Sequence, residues 1–146
     1  TWGWAEEDQP KLIPIGSTQL GRKKQSIIPS LNGSIIFIAH TTFRYFCRID
    51  HVAANVQVPV NLEEYGRFIR TVGPEVFKKL FFRLESVNFG WDEKARLADA
   101  FPDLKTYQGL VPFIKQLRKC RLSVHFNNST TFLETMSMNI PSVLLT

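Results

Sequence analysis

The sequence predicts an α/β fold in which a mostly parallel sheet is flanked by helices. Segments of strand length, of which Ile35–Ala39 is apolar throughout, alternate along the chain with segments whose apolar residues recur at helical spacing. Strands that are apolar throughout are typical of parallel sheets that are covered on both faces. Because the connections between the strands are helical, we expect right-handed crossovers and parallel neighbours.

The first part of the chain contains one strand, one loop and one helix. Residues 1–34 carry turn signals and are expected to be irregular and to pack on the domain that follows. Ile35–Ala39 is the first strand. Residues 46–60 are interpreted as a loop, because Pro59 argues against a central strand. Asn61–Val72 has apolar residues at helical spacing, and its first residue is the expected cap.

Two further strands and a helix are predicted in the middle of the chain. After a helical turn over residues 75–79, Leu80–Leu84 is a strand. Asp92 is expected to cap a helix that ends before Pro102. Leu104–Tyr107 is a short strand, polar enough to lie at the edge of the sheet.

The next helix is predicted over Val111–Lys119, with Pro112 in its first turn. Proline is tolerated there because the first N–H groups of a helix have no partner within it. The basic residues Lys115, Arg118 and Lys119 face outward near the C-terminal end of this helix. They are interpreted as a solvated face that complements the helix dipole.

The sequence ends in a predicted βαβ unit. Its first strand is Leu122–Phe126, which runs into the polar turn Asn127–Thr131. The following helix is ended by Ile140-Pro141, and Ser142–Leu145 is the last strand. The inward stripe of this helix is expected to consist of Phe132, Leu133 and Met136.

The turn Asn127–Thr131 has two interpretations. The start of a helix leaves backbone N–H groups unpaired and carries partial positive charge, so with adjacent hydroxyls it suits a phosphate group. Alternatively, Thr131 and Glu134 match a capping box, in which each side chain satisfies the other's backbone donor. Capping needs one such residue and the turn offers five polar ones, but the turn alone leaves both interpretations open.

Polar clusters follow three of the predicted strands and together favour a ligand site. They are His40–Arg44, Arg83–Asn88 and Asn127–Thr131. Because the carboxyl ends of parallel strands meet at one edge of a sheet, these clusters are expected to come together there. The formal net charge of +5 suits an anionic ligand, such as a nucleotide or a nucleotide-sugar.

Composition and motifs argue against several other classes of protein. No basic stripe is interleaved with exposed aromatics, so no nucleic-acid partner is expected. No Gly-x-Gly-x-x-Gly follows a strand, which disfavours an NAD(P) dehydrogenase. No apolar run has the length of a membrane span, and no signal-peptide pattern is recognised. Cys47 and Cys120 lack metal or disulfide spacing and are expected to be free thiols in a reducing compartment.

Several motifs of the chain resemble one enzyme family. They are Trp2-Gly3-Trp4, Arg83-Leu84, Gly90-Trp91-Asp92, Phe113 with Leu117, and Asn128–Glu134 with Asn139-Ile140-Pro141. On these residues the chain resembles the C-terminal, donor-binding domain of two-domain GT-B glycosyltransferases, and more narrowly the transferases of bacterial surface-carbohydrate and O-antigen biosynthesis. The resemblance covers residues 75–146 well and the earlier part more loosely. It implies a Rossmann-like nucleotide-sugar-binding domain over residues 35–146, in a chain that is expected to be a fragment of a longer protein.

The resemblance also implies which residues bind the donor. Ser129–Thr131 hold its pyrophosphate, Glu134 meets ribose or sugar hydroxyls, and Arg83 neutralises the leaving phosphate. No Asp-x-Asp motif is present, so a transfer without a metal or other cofactor is implied. The full set of implied substrate-binding residues is His40, Thr41, Thr42, Arg44, Arg83, Asn128, Ser129, Thr130, Thr131 and Glu134.

The remaining expectations concern partners and location. The implied partners are a nucleotide-sugar donor, a carbohydrate or lipid-linked acceptor, and a missing N-terminal domain of the same protein. The catalytic base of such enzymes usually lies in that domain, so no catalytic residue is assigned, and His51 and His125 are interpreted as structural. A cytoplasmic location is implied, with peripheral association at the inner face of the membrane. The alternative is a non-catalytic nucleotide- or phosphate-binding module, which would bind without turnover.

Overall fold

The computed structural model describes residues 27–45, 56–108 and 111–145. The predictions for residues 1–26 and 46–55, which include Cys47 and His51, lie outside these ranges. The strands are β1 (Ser34–Ile38), β2 (Leu80–Leu84), β3 (Lys105–Gln108), β4 (Cys120–His125) and β5 (Ser142–Leu144). The helices are α1 (Gln57–Thr71), α2 (Pro74–Phe77), α3 (Glu93–Ala100), α4 (Phe113–Leu117) and α5 (Thr130–Ser137).

The strands form one parallel sheet in the order β3-β2-β1-β4-β5, with β1 at its centre. Phe37 of β1 is level with Phe82 of β2 on one side and with Val124 of β4 on the other. The chain moves outward from β1 to β3 and then crosses to the opposite side of β1 for β4 and β5. The predicted Rossmann-like α/β fold is confirmed, with β3 at an edge as expected. The change of direction beside β1 creates the position at which open parallel sheets bind ligands.

Both faces of the sheet are covered by apolar side chains, which explains the continuous apolar run Ile35–Ile38 in the central strand β1. On one face, Phe37 stacks on Phe82 with ring centroids 4.2 Å apart, and Tyr65 of α1 packs against both rings. On the other face, Ile36 and Ile38 belong to a second buried cluster. That cluster is completed by Ile27, Leu117, Cys120, Met138 and Ile140.

Helix α1 begins at Gln57, four residues before the predicted start at Asn61. The interpretation of residues 57–60 as a loop was therefore wrong. Pro59 lies within the first turn of α1, where its missing N–H leaves no helical hydrogen bond unmade. Val58 is buried, so this turn also contributes to the packing.

Helix α5 turns a different face to the sheet from the one predicted. Leu133 and Met136 are 41% and 57% exposed, whereas Glu134 and Thr135 are buried. The reason is a network of hydroxyl groups beneath the helix. Thr135 Oγ1 lies 3.1 Å from Nε2 of the buried His125 and accepts a hydrogen bond from Ser142 Oγ at 3.0 Å. Hydrogen bonding makes this polar face compatible with burial.

Two further helix starts differ from expectation. Asp92 occupies the N-cap position of α3, but its backbone is left-handed (φ 54°) and its side chain makes no capping bond. Asn88 Oδ1 instead accepts the N–H groups of Gly90 and Asp92 at 2.9 and 3.3 Å. Pro112 is the N-cap of α4, which is shorter than predicted. In the described ranges no helix has the length and apolar character needed to cross a membrane.

Candidate functional site

A cleft of about 350 Å³ opens at the carboxyl ends of β1, β2 and β4. It lies where the chain changes direction across the sheet. Each of the three predicted polar clusters contributes to its lining. The expected convergence of strand ends is therefore present in the fold.

Half of the implied substrate-binding residues line this cleft. Those that line it are His40, Arg83, Ser129, Thr130 and Thr131. Thr41, Thr42, Arg44, Asn128 and Glu134 are not among its lining residues. Sequence reasoning passed over Glu85, Ser86 and Asn127, which line the cleft as well. All three lie in the predicted clusters, and their position directly after β2 and β4 was the signal available.

The N-terminus of α5 forms one wall of the cleft. Ser129 is its N-cap, yet the Ser129 side chain makes no capping hydrogen bond. The N–H groups of Phe132 and Leu133 both donate to the carbonyl oxygen of Ser129, at 3.0 and 3.4 Å. Within the described residues, the N–H groups of Thr130 and Thr131 donate to no backbone oxygen. The first turn therefore presents two backbone donors at the positive end of the helix dipole.

The capping-box interpretation of this turn was wrong. Thr131 lies inside α5 and not at its N-cap, so Thr131 and Glu134 do not have the spacing from the helix start that a capping box requires. Glu134 is instead buried, with 9% of its surface exposed.

Arg83 reaches the cleft from the end of β2 and is held by the segment around α4. Its Nη1 donates to Gln116 Oε1 at 2.8 Å and to the Val111 carbonyl oxygen at 3.1 Å. Its guanidinium carbon lies 5.2 Å from the ring centroid of Phe113. Burial lowers the pKa of Arg83, and Glu85 opposes that change. Since arginine titrates far above neutral pH, the group is a fixed positive charge at the cleft.

His40 is anchored through its backbone. The hydroxyl of Tyr65 donates to the His40 carbonyl oxygen and accepts the His40 N–H, both at 2.8 Å. Burial lowers the pKa of His40, although Glu85 opposes the change. The imidazole is therefore neutral at pH 7 and has one nitrogen able to accept and one able to donate a hydrogen bond.

Arg44 and Thr42 hold the wall of the cleft without lining it. Arg44 donates from its backbone to Phe89 O at 2.9 Å and from Nη1 to Gly90 O at 3.1 Å. Trp91 Nε1 donates to Thr42 O at 3.0 Å, and the Arg44 guanidinium lies over the Trp91 ring. The segment after β1 is thereby tied to the turn after β2.

A smaller cavity of about 280 Å³ adjoins the cleft and shares Leu84 and Glu85 with it. Glu93, at the start of α3, also lines this cavity. Burial raises the pKa of Glu93, and the nearby Thr41 hydroxyl opposes the rise. The Thr41 hydroxyl is close enough to lower the pKa of the Glu93 carboxyl, but Glu93 Oε1 and Thr41 Oγ1 are both buried and neither makes a hydrogen bond of good geometry among the described residues. A ligand in this cavity with a hydroxyl group would supply a donor to the Glu93 carboxylate.

The described part of the chain contains no group of three or more His, Cys, Asp or Glu residues placed to hold a metal ion. Cys120 is a free, buried thiol at the start of β4. Burial raises its pKa to about 11, which makes it unreactive as a nucleophile. It belongs to the apolar core and not to the site.

Comparison with known protein families gives a match over the whole sequence. A family model described as LIC12162 family transferase matches residues 1–146. Neither the curated proteins nor the solved structures contain a match. The family match supports the transferase part of the expected function, and it covers the cleft together with the rest of the chain.

Proposed function

The chain belongs to the LIC12162 family of transferases, and on that premise we propose that its cleft binds the nucleotide-sugar donor of a glycosyl transfer. The observation that carries this proposal is the uncapped N-terminus of α5 at the point where the sheet changes direction. Such a position offers backbone donors and positive charge to a phosphate group.

The donor's diphosphate is the group that this turn fits. The N–H groups of Thr130 and Thr131 would donate to its oxygens, together with one hydroxyl of the Ser129–Thr131 pair. The other hydroxyl of that pair donates to its neighbour, since the two oxygens lie 2.7 Å apart. As the glycosidic bond breaks, negative charge builds up on the departing nucleoside diphosphate. Fixed donors stabilise that charge without reorganising, which is how such a site lowers the barrier.

Arg83 supplies the positive charge on the opposite side of the cleft in this proposal. Its contacts with Gln116 and Val111 keep the guanidinium at the end of β2. The cation therefore need not be ordered when the donor binds, which favours affinity.

The adjoining cavity is the proposed place for the ribose or the sugar. Glu93 and Glu85 line it, and carboxylate oxygens accept hydrogen bonds from hydroxyl groups. The resemblance assigns the contact with ribose or sugar hydroxyls to Glu134. In this proposal Glu93 makes that contact, because Glu134 of α5 is buried and does not line the cleft.

The wider setting of the proposal rests on the resemblance to transferases of bacterial cell-surface polysaccharide biosynthesis. The acceptor would be a carbohydrate or a lipid-linked carbohydrate at the inner face of the membrane. The catalytic base would come from a partner domain, and the transfer would need no metal.

A thermal-shift panel with UDP, GDP, CMP, TDP, their sugars, inorganic phosphate and NAD tests the proposal. A ligand that binds the folded state raises the melting temperature by mass action. We expect a shift with one nucleoside diphosphate and its sugar that exceeds the shift with NAD. Equal shifts with NAD, or none with any nucleotide in the full-length protein, would contradict it. Binding of the nucleotide-sugar without turnover by the full-length protein would favour the non-catalytic module.

A further inference from the structure

A third cavity, of about 460 Å³, lies on the α4 side of the sheet and shares no lining residue with the cleft. Three basic residues line it, namely Lys115, Arg118 and Lys119, and no acidic residue does. From the sequence alone, these three residues were interpreted only as a solvated helix face. Because they surround a cavity, these residues form a concave basic surface, and such a surface concentrates anions.

Gln116 lines the same cavity and contains a buried donor without an acceptor. The side chain is 6% exposed, and its Oε1 accepts a hydrogen bond from Arg83 Nη1 at 2.8 Å. Because arginine can only donate, Oε1 must face Arg83, and this fixes Nε2 as the other branch of the amide. Nε2 is buried and has no hydrogen-bond partner among the described residues. A buried polar group of this kind calls for an acceptor.

We propose that this cavity is a second anion site, which binds a group with phosphate-type oxygens. Gln116 Nε2 donates to one oxygen, and the ammonium groups of Lys115 and Lys119 balance the charge at the rim. Gln116 is thus shared between the two sites, with Oε1 directed to Arg83 at the cleft and Nε2 serving the second anion. The group is carried either by a phosphorylated small molecule or by a lipid headgroup.

The test measures the binding of inorganic pyrophosphate to the full chain by calorimetry. Thr130→Pro is used as the background, so that binding at the cleft is weakened. We expect a site to remain in this background, and Lys115→Ala/Lys119→Ala to weaken it about tenfold or more, as for the loss of charge-assisted hydrogen bonds. Arg67→Ala/Arg70→Ala removes the same charge from the opposite face of the sheet and is the matched control. It should leave the affinity unchanged.

Gln116→Glu separates a built site from a general basic surface. The glutamate still accepts from Arg83, but it places negative charge in the cavity and removes the donor. Binding should be lost in this variant while the melting temperature stays close to that of the parent. If Gln116→Glu fails to fold, the lysine pair still decides the question. The absence of any site in the Thr130→Pro background, or equal weakening by the arginine pair, would overturn the proposal.

Vesicles distinguish the two sources of the anion. If the source is a lipid headgroup, the chain should bind vesicles of phosphatidylglycerol and phosphatidylcholine, pyrophosphate should compete, and Gln116→Glu should abolish the binding. Vesicle binding that Gln116→Glu leaves intact, together with loss of pyrophosphate binding in that variant, assigns the cavity to a phosphorylated small molecule.

Discussion

The hydroxyl oxygen of Ser129 lies 2.7 Å from that of Thr131. The N-cap side chain is therefore bonded to another hydroxyl and not to a backbone N–H of its helix. This one contact leaves the first turn of α5 open toward the cleft. The sequence also allowed a well-capped helix. The structure instead has a helix whose first residues line a cavity and whose N-cap side chain makes no capping bond.

Replacing Ser129 by alanine should have little effect on stability. A serine that caps a helix contributes about 1 kcal/mol, but Ser129 makes no capping bond. We expect Ser129→Ala to lower the free energy of unfolding by less than about 0.5 kcal/mol in urea titrations. Thr135→Val serves as the comparison, because it breaks the buried network under α5 and should cost about 1 to 3 kcal/mol. Equal losses in the two variants would mean that Ser129 does cap the helix.

His125 should make the fold sensitive to acid. Burial lowers its pKa to about 4, from 6.5 in the unfolded chain. The unfolded chain therefore binds this proton at a higher pH than the folded chain does. The stability that His125 contributes is fully present above pH 6.5 and is lost progressively as the pH falls toward 4.

The measurement for His125 is urea unfolding at several pH values between 7 and 4, for the parent and for His125→Gln. The parent should lose about 1 to 3 kcal/mol more than the variant over this range. His40 has a lowered pKa as well and stays in both proteins, so the difference isolates His125. Parallel curves for the two proteins would refute the assignment.

Two glycines provide a matched pair for testing the turn after β2. Gly90 has φ +92°, and a Cβ atom there would lie 3.2 Å from Arg44 Cβ. Gly73 has φ −66°, and nothing lies within 4 Å of its Cβ position. Gly90→Ala should destabilise the fold by about 1 to 2 kcal/mol. Gly73→Ala should change the free energy of unfolding by less than about 0.5 kcal/mol, because the entropy gain of alanine is opposed by its poorer fit at the N-cap of α2. A neutral Gly90→Ala would show that the turn is not strained by a side chain.

The exposed face of α5 should tolerate charge. We expect Leu133→Lys and Met136→Lys each to change the free energy of unfolding by less than about 0.5 kcal/mol, as for surface substitutions. Met138, which is 1% exposed, should cost about 2 to 5 kcal/mol when replaced by alanine. Chemical denaturation of the three variants checks this. If either lysine variant lowers the free energy of unfolding by several kcal/mol, that residue faces the core, as the sequence predicted.

The inner strands were predictable because they are short and largely apolar, and Leu80–Leu84 was predicted with its observed limits. The edge strand β3 is polar and was predicted as such. The face of α5 that packs on the sheet could not be predicted in this way. Its apolar residues suggested the stripe, but the sheet beneath offers His125 and Ser142 as partners for Thr135. Only the register of β4 and β5 brings those side chains under the helix.

The candidate site was predictable to the level of the strand ends and not of single side chains. The parallel order brings His40, Arg83 and Thr130 to one cleft, as expected from where they follow the strands. Glu134 lies one helical turn further on and is rotated inward. The contact between Arg83 and Gln116 joins residues 33 positions apart and left no signal in the sequence.

Thr130→Pro tests most directly whether the backbone N–H at the start of α5 binds the diphosphate. Proline is tolerated at the first helical position, as Pro74 in α2 illustrates. Beyond what Thr130→Ala removes, it replaces the N–H by a ring CH2 group. Calorimetry should use whichever of UDP, GDP, CDP and TDP binds the parent most tightly. We expect Thr130→Pro to bind about tenfold more weakly than Thr130→Ala at an unchanged melting temperature. Equal affinities of the two variants would show that this N–H does not hold the diphosphate.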